Sequence, residues 1–152
     1  MGNCNGCFAG IIGTSEAAKT DKPSDLMDCK ALANACQKGD VKEVSRLLLK
    51  ADPCWADESF FNYTPLHRAA GQGHTEVVRL LLADERVNGG NVDMRSTSDE
   101  TPLIMAARGR RAEICQMLLE MGADPEAKTN YKGNLARSAR SYLVEAGYGA
   151  LL

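Results

Sequence analysis

Thr64-Pro65-Leu66-His67-Arg68-Ala69-Ala70, followed by Gly73-His74 and Val77-Val78-Arg79-Leu80-Leu81-Leu82, decides how this chain folds. Thr64 ahead of Pro65 suits the start of a helix: the threonine oxygen accepts an orphaned amide, and proline needs no donor in the first turn. Ala69 and Ala70 are small enough to let neighbouring helices lie close. Gly73 suits the left-handed turn that ends a first helix. Val77, Val78, Leu81 and Leu82 then form the apolar stripe of a second.

A helix–turn–helix of this size cannot bury its apolar face alone, so it must recur and stack. It does recur. Thr101-Pro102-Leu103-Ile104-Met105-Ala106-Ala107 restates the opening, and Ile114, Leu118 and Leu119 restate the second helix. Upstream, Leu32, Ala33, Ala35, Gly39-Asp40, Val44 and Leu47-Leu48 give the same pattern without Thr-Pro. Leu32 and Leu66 are 34 residues apart, Leu66 and Leu103 are 37 apart, and the extra residues fall within 84–99. Gly89-Gly90-Asn91 there reads as a lengthened loop.

These motifs resemble the ankyrin repeat, whose period is about 33 residues. The resemblance covers about residues 31–152. It implies an all-α solenoid of three to four stacked helix–turn–helix repeats with β-turn fingers. The expected division is a flexible tail over 1–28, then repeats near 29–62, 63–99 and 100–133, with a degenerate capping repeat over 134–152. The resemblance also implies that the His67 imidazole ties adjacent repeats together through hydrogen bonds. A metal site built from His67 and His74 lacks further ligands at useful spacing.

Departures from the pattern carry their own expectations. Ile104 replaces the histidine, exchanging a polar tie for apolar packing. Arg110 stands where the helix-ending glycine belongs, with Gly109 one place early, which predicts a shifted or loosened helix end. Gly133-Asn134-Leu135-Ala136-Arg137 resembles a degenerate opening, followed by Ala139, Leu143 and Val144. This reads as a terminal cap; a chain that is one piece of a longer array is the competing reading.

Composition suits one compact domain plus a tail: 152 residues, 44% hydrophobic, 5% aromatic. With 18 basic and 20 acidic residues the net charge is −2, so no general nucleic-acid surface is implied. No apolar run approaches the roughly 18 residues that span a bilayer. Of six cysteines, Cys36 and Cys115 fall in helical segments as small core residues, and Cys29 and Cys54 near segment edges as free thiols. A reducing, cytoplasmic setting is expected.

The start, Met1-Gly2-Asn3-Cys4-Asn5-Gly6-Cys7, resembles dually acylated signalling proteins. Gly2 is placed for myristoylation and Cys4 and Cys7 for palmitoylation, although Gly6 stands where Ser or Thr is usual. Two chains would be needed, since one myristoyl group binds membranes with K of only about 10⁴ M⁻¹. Peripheral membrane attachment is the corresponding expectation. A plain tail and a Cys4-x-x-Cys7 redox or metal half-site are the alternatives; the latter lacks a second cysteine pair. Residues 14–28 read as a polar linker with a turn of helix near 24–29.

In the family, partners meet the finger tips and the exposed side of each first helix. Carried onto this chain, the first finger spans 52–63 and holds Trp55, Phe60, Phe61 and Tyr63. Trp55 is expected to stay partly exposed and Phe60 or Phe61 to pack back. The second finger, 91–100, offers Met94 and Arg95. Arg68, Gln72, Met105 and Arg108 are the matching first-helix positions. With Arg110 and Arg111 they form a basic patch suited to a protein partner with an acidic surface, or else a solvated face.

No catalytic constellation survives inspection. A Gly-rich phosphate loop, a His-Glu-x-x-His helix and a serine-nucleophile motif are all missing. The expectation is a monomeric, cofactor-free adaptor or inhibitor that binds another protein.

Overall fold

A computed structural model describes residues 23–130 and 136–152. Among them are eight α-helices: α1 (Pro23–Lys38), α2 (Val41–Leu47), α3 (Pro65–Gln72), α4 (Thr75–Ala83), α5 (Glu85–Asn88), α6 (Pro102–Arg108), α7 (Ala112–Glu120) and α8 (Ala139–Glu145). A 3₁₀ turn, Gly149–Leu151, follows. Gly2, Cys4 and Cys7 lie outside the described residues. Helix α1 starts at Pro23, so the turn of helix expected near 24–29 is the opening of one continuous first helix, and 23–28 belong to it and not to a linker.

The helices form two rows. In the inner row α1 packs on α3, α3 on α6 and α6 on α8; in the outer row α2 meets α4, α4 meets α7, and α7 meets the 3₁₀ turn. Close approach in the inner row rests on alanine: Ala69, Ala70, Ala106 and Ala107 are all buried. Leu32, Leu47, Leu66, Leu81, Leu103, Leu118 and Leu143 fill the space between rows. Burying each contributes about 1.5–3 kcal/mol.

Local chemistry sets the helix ends. The Thr64, Thr101 and Ser138 hydroxyls accept the amides of His67, Ile104 and Ser141, capping α3, α6 and α8. These caps are evenly spaced along the chain. Ser138 therefore opens the fourth unit, later than the 133–137 expected; of that stretch only Ala136 and Arg137 lie among the described residues. This unit has a first helix, with the 3₁₀ turn standing where the others place a second.

The turns after the first helices keep the same phase. Gly73 (φ 89°), Arg110 (φ 56°) and Gly147 (φ 83°) all occupy the left-handed region. So Arg110, not Gly109, takes the glycine's conformation, and α6 ends one residue short of α3's length. The next residue in each unit reaches back to the previous repeat. His74 Nε2–H donates to the Gln37 carbonyl at 3.0 Å, the Arg111 guanidinium covers Gly73, and Tyr148 Oη–H donates to the Arg110 carbonyl at 3.3 Å.

The extra residues of the middle repeat form α5, a helical turn, before Gly89-Gly90. Arg86 on α5 donates to the carbonyls of Leu48 (2.7 Å) and Ala51 (3.0 Å) just beyond α2, while Asp84 grips the same guanidinium at 2.9 and 2.6 Å. What reads as a longer loop is a clamp onto the preceding repeat. Neighbouring fingers are joined by main-chain bonds, Thr97 N–H to Phe61 O and Asn130 N–H to Ser98 O, both 3.0 Å.

Candidate partner-binding groove

A groove of about 360 Å³ runs along the inner row beneath the first finger. Gln37 of α1, Phe60 and Tyr63 of the finger, Arg68, Gly71 and Gln72 of α3, and Met105, Arg108 and Gly109 of α6 and its turn line it. Phe60, Tyr63, Arg68, Gln72, Met105 and Arg108, picked from the sequence as contact residues, thus converge on one concavity. Trp55, Phe61, Met94 and Arg95 do not line it.

The finger is a tight reversal. Asp57 and Tyr63 form an isolated antiparallel bridge, and the Tyr63 amide donates to the Phe60 carbonyl at 3.1 Å. Phe61 (φ 56°) and Asn62 (φ 55°) are both left-handed, as in the primed turns that suit twisted hairpins. Asparagine tolerates this; a bulky phenylalanine there is a true outlier. The reversal throws both phenylalanines outward: Phe60 is 41% and Phe61 58% exposed. Trp55 precedes the reversal, where the chain still lies against the core beside Ala51 and Cys54, and is only 7% exposed. The expected arrangement of these three rings is therefore inverted.

Arg68 also differs from expectation. Its guanidinium is almost wholly buried, held by Asp57 Oδ2 at 2.6 Å and Gln37 Oε1 at 2.9 Å, with the Phe60 ring 4.7 Å away. It locks finger to helix and forms the groove's floor. Arg108 is more open, its side chain 43% exposed, and pairs with Glu100.

Glu100 and Asp57 were missed by sequence reasoning. Glu100 is 1% exposed and accepts from Tyr63 Oη at 2.8 Å as well as from Arg108. The only sequence signal was an acid directly before Thr101 in a turn segment. The Tyr63 ring stacks on His67 at 5.6 Å and 15°. His67 Nδ1 accepts the Thr64 amide at 3.2 Å, and Nε2–H donates to the Glu100 carbonyl at 3.0 Å. Burial pulls its pKa from 6.5 down to about 4, against the opposing pull of the Glu100 carbonyl. The imidazole is thus neutral and structural.

Met94 is half-buried against the core. Arg95 is exposed and reaches the Lys128 carbonyl at 3.4 Å, bracing one finger on the next. Cys29, Cys36, Cys54 and Cys115 are buried; burial raises the Cys36 thiol to about 12 and Cys115 to about 11. Among the described residues no group of three or more His, Cys, Asp or Glu could hold a metal, and no helix is long and apolar enough to cross a membrane.

The family model for ankyrin repeats matches residues 32–129 in three copies. The chain belongs to the ankyrin-repeat family. Ankyrin repeats are protein–protein interaction modules, and a domain built from them is typically non-enzymatic. Similar proteins include the E3 ubiquitin-protein ligase XBAT33 of Arabidopsis thaliana, 40% identical over 90 residues, covering 58% of this chain and 17% of that protein. The 2-5A-dependent ribonuclease of Mus musculus is 38% identical over 79 residues, 52% of this chain and 10% of that protein. Ankyrin repeat and SOCS box protein 2 of Homo sapiens is 26% identical over 121 residues, 80% and 18% respectively. The ankyrin region of this chain thus corresponds to under a fifth of the length of each of these three.

Proposed function

We propose that this chain is a non-enzymatic adaptor or inhibitor that seizes a partner protein through the inner-row groove and the first finger. The observation that carries this reading is Phe61: a bulky ring held in a left-handed conformation and left 58% exposed. Backbone strain of that kind costs about 1–3 kcal/mol and concentrates at functional sites. Beside it, Phe60 and Tyr63 add aromatic surface of the type that dominates interface energetics. Gln72, Met105 and Arg108 extend the contact along the groove.

Phe61→Asn tests it, because asparagine accepts the same φ while deleting the ring. Affinity capture from cells with the whole chain and with this variant should show one partner lost while the melting temperature is unchanged. Equal capture by both would remove the finger from the interface.

The repeats are also proposed to work at a membrane surface through acylation of Gly2, Cys4 and Cys7, a reading supported by the Met1-Gly2-Asn3-Cys4 start and by the need for two lipid signals. Intact mass of the chain from eukaryotic cells decides this: added myristoyl and palmitoyl mass supports the tether, and an unmodified tail removes it. Because the relatives are far longer, the same groove would serve equally as the recognition element of a larger protein whose activity lies elsewhere.

A further inference from the structure

Resting on the reading that the inner-row groove is the binding site, we infer that its occupant is a short extended segment of the partner carrying an acidic side chain beside a large apolar one. Two arginines face the groove, and their counter-charges lie behind them. The Asp57 and Glu100 side chains are 12% and 2% exposed, and among the described residues neither they nor any other carboxylate lines the concavity. Each ion pair is thereby a fixed dipole with its positive end toward the groove. Dipoles aligned in advance attract an incoming charge without reorganising. Arg110 and Arg111, both exposed, carry the positive potential beyond Arg108. An acidic group meets complementary charge here, and a basic one is repelled.

The remaining lining suits the peptide around that acid. Because Gln37 Oε1 accepts from Arg68, its amide nitrogen is left as a donor. Gln72 is exposed and adds a second amide. Phe60, Tyr63 and half-buried Met105 supply an apolar wall next to these donors. Met105 lies directly over Gly71, where a Cβ would come within 2.9 Å of Met105 Cε, so this part of the wall is seated on main chain. A volume of about 360 Å³ lies at the lower end of the roughly 300–1,000 Å³ of ligand-sized clefts, so a few residues fit and a folded edge does not.

A random heptapeptide library displayed on phage and panned against the whole chain tests this. Enriched peptides should place Asp or Glu beside Phe, Trp, Leu or Met. Measured by fluorescence anisotropy, replacing that acid by its amide should weaken binding at least tenfold. Gln72→Glu and Gln37→Glu should each weaken it several-fold at unchanged melting temperature, since Gln72 is exposed and a carboxylate at 37 still accepts from Arg68. Raising salt from 50 to 500 mM should also weaken it several-fold, because screening shortens the reach of exposed charge. Peptides without an acid that still lose affinity to Met105→Ala, which strips the apolar wall, would overturn the acidic specificity and leave the groove as the site. No enrichment, or binding insensitive to every groove variant, would overturn both.

Discussion

His67 Nε2 lies 3.0 Å from the main-chain oxygen of Glu100, one repeat further along the stack, while Nδ1 of the same ring accepts the Thr64 amide. The ring spans two repeats only when Nδ1 is unprotonated. A proton there would face the Thr64 N–H, and the buried site would hold an uncompensated charge. His67 titrates at about 4 in the folded chain against 6.5 ordinarily. Between those values the unfolded chain binds the proton and the native chain does not. Stability is therefore complete above about pH 6.5 and falls as pH drops toward 4, by up to about 1.4 kcal/mol per pH unit. Urea unfolding at stepped pH should show this slope, and His67→Asn should lose it. The substitution should also cost about 2–4 kcal/mol at pH 7.5 through orphaned partners. An unchanged slope in the variant would exclude His67 as its source.

Trp55 and Phe61 should behave oppositely on truncation. Trp55, 7% exposed in the core, should cost about 3–5 kcal/mol as Trp55→Ala. Phe61, 58% exposed, with its ring 5.6 Å from that of Phe60 and 5.8 Å from that of Tyr63, should cost less than about 1 kcal/mol as Phe61→Asn, with strain relief offsetting the lost contacts. Chemical denaturation of the two variants in parallel checks the ordering. A larger loss at Phe61 would mean that the finger, not the loop before it, anchors the first interface.

What could be read from sequence was what is decided locally. Thr64, Pro65 and Gly73 act on amides and dihedrals within a few residues of themselves, so their types name their roles. The inner alanines announce close packing in the same way. Asp57 and Glu100 could not be read, because what fixes them lies across the fold: Asp57 meets Arg68 eleven positions on, and Glu100 meets Tyr63 from the previous repeat. Trp55 was misplaced because an aromatic-rich turn segment looks uniform in sequence. Two left-handed residues divide it into a buried part and an exposed part. Ser138 was hidden since Ser-Ala replaces Thr-Pro and Arg140 takes the leucine position; only the even spacing of the caps betrays it. For the groove, residue types at the right repeat positions sufficed for Gln72, Met105 and Arg108, which line it as their places in the repeat suggested.

The clamp from α5 predicts a specific intolerance at residue 86. Arg86 places one guanidinium group on two carbonyls beyond α2 and on both oxygens of Asp84. A planar fork can do this and an ammonium cannot. Arg86→Lys should therefore lose nearly as much as Arg86→Ala, about 1–2 kcal/mol, chiefly by freeing the α2 end. Hydrogen exchange of the amides 44–51 should speed up in both variants. If lysine restores protection, charge alone holds the segment and the fork geometry is irrelevant.

Arg110 offers a stabilising change. It sits at φ 56°, in phase with Gly73 at 89° and Gly147 at 83°. A side chain in this region costs about 1–2 kcal/mol relative to ordinary conformations, and glycine's added unfolded-state freedom returns roughly half of that. The Arg110 carbonyl, which accepts from Tyr148, is main chain and survives substitution. Its side chain is exposed, and its favourable field on Glu145 is forfeited in exchange. Arg110→Gly should therefore raise stability by about 0.5–1 kcal/mol, a few degrees in Tm for a domain of this size. Arg110→Ala, which keeps a Cβ at the same φ, should give no gain. Thermal melts of the pair separate backbone strain from charge: an equal rise in both would mean that removing the cation, not the strain, stabilises the stack.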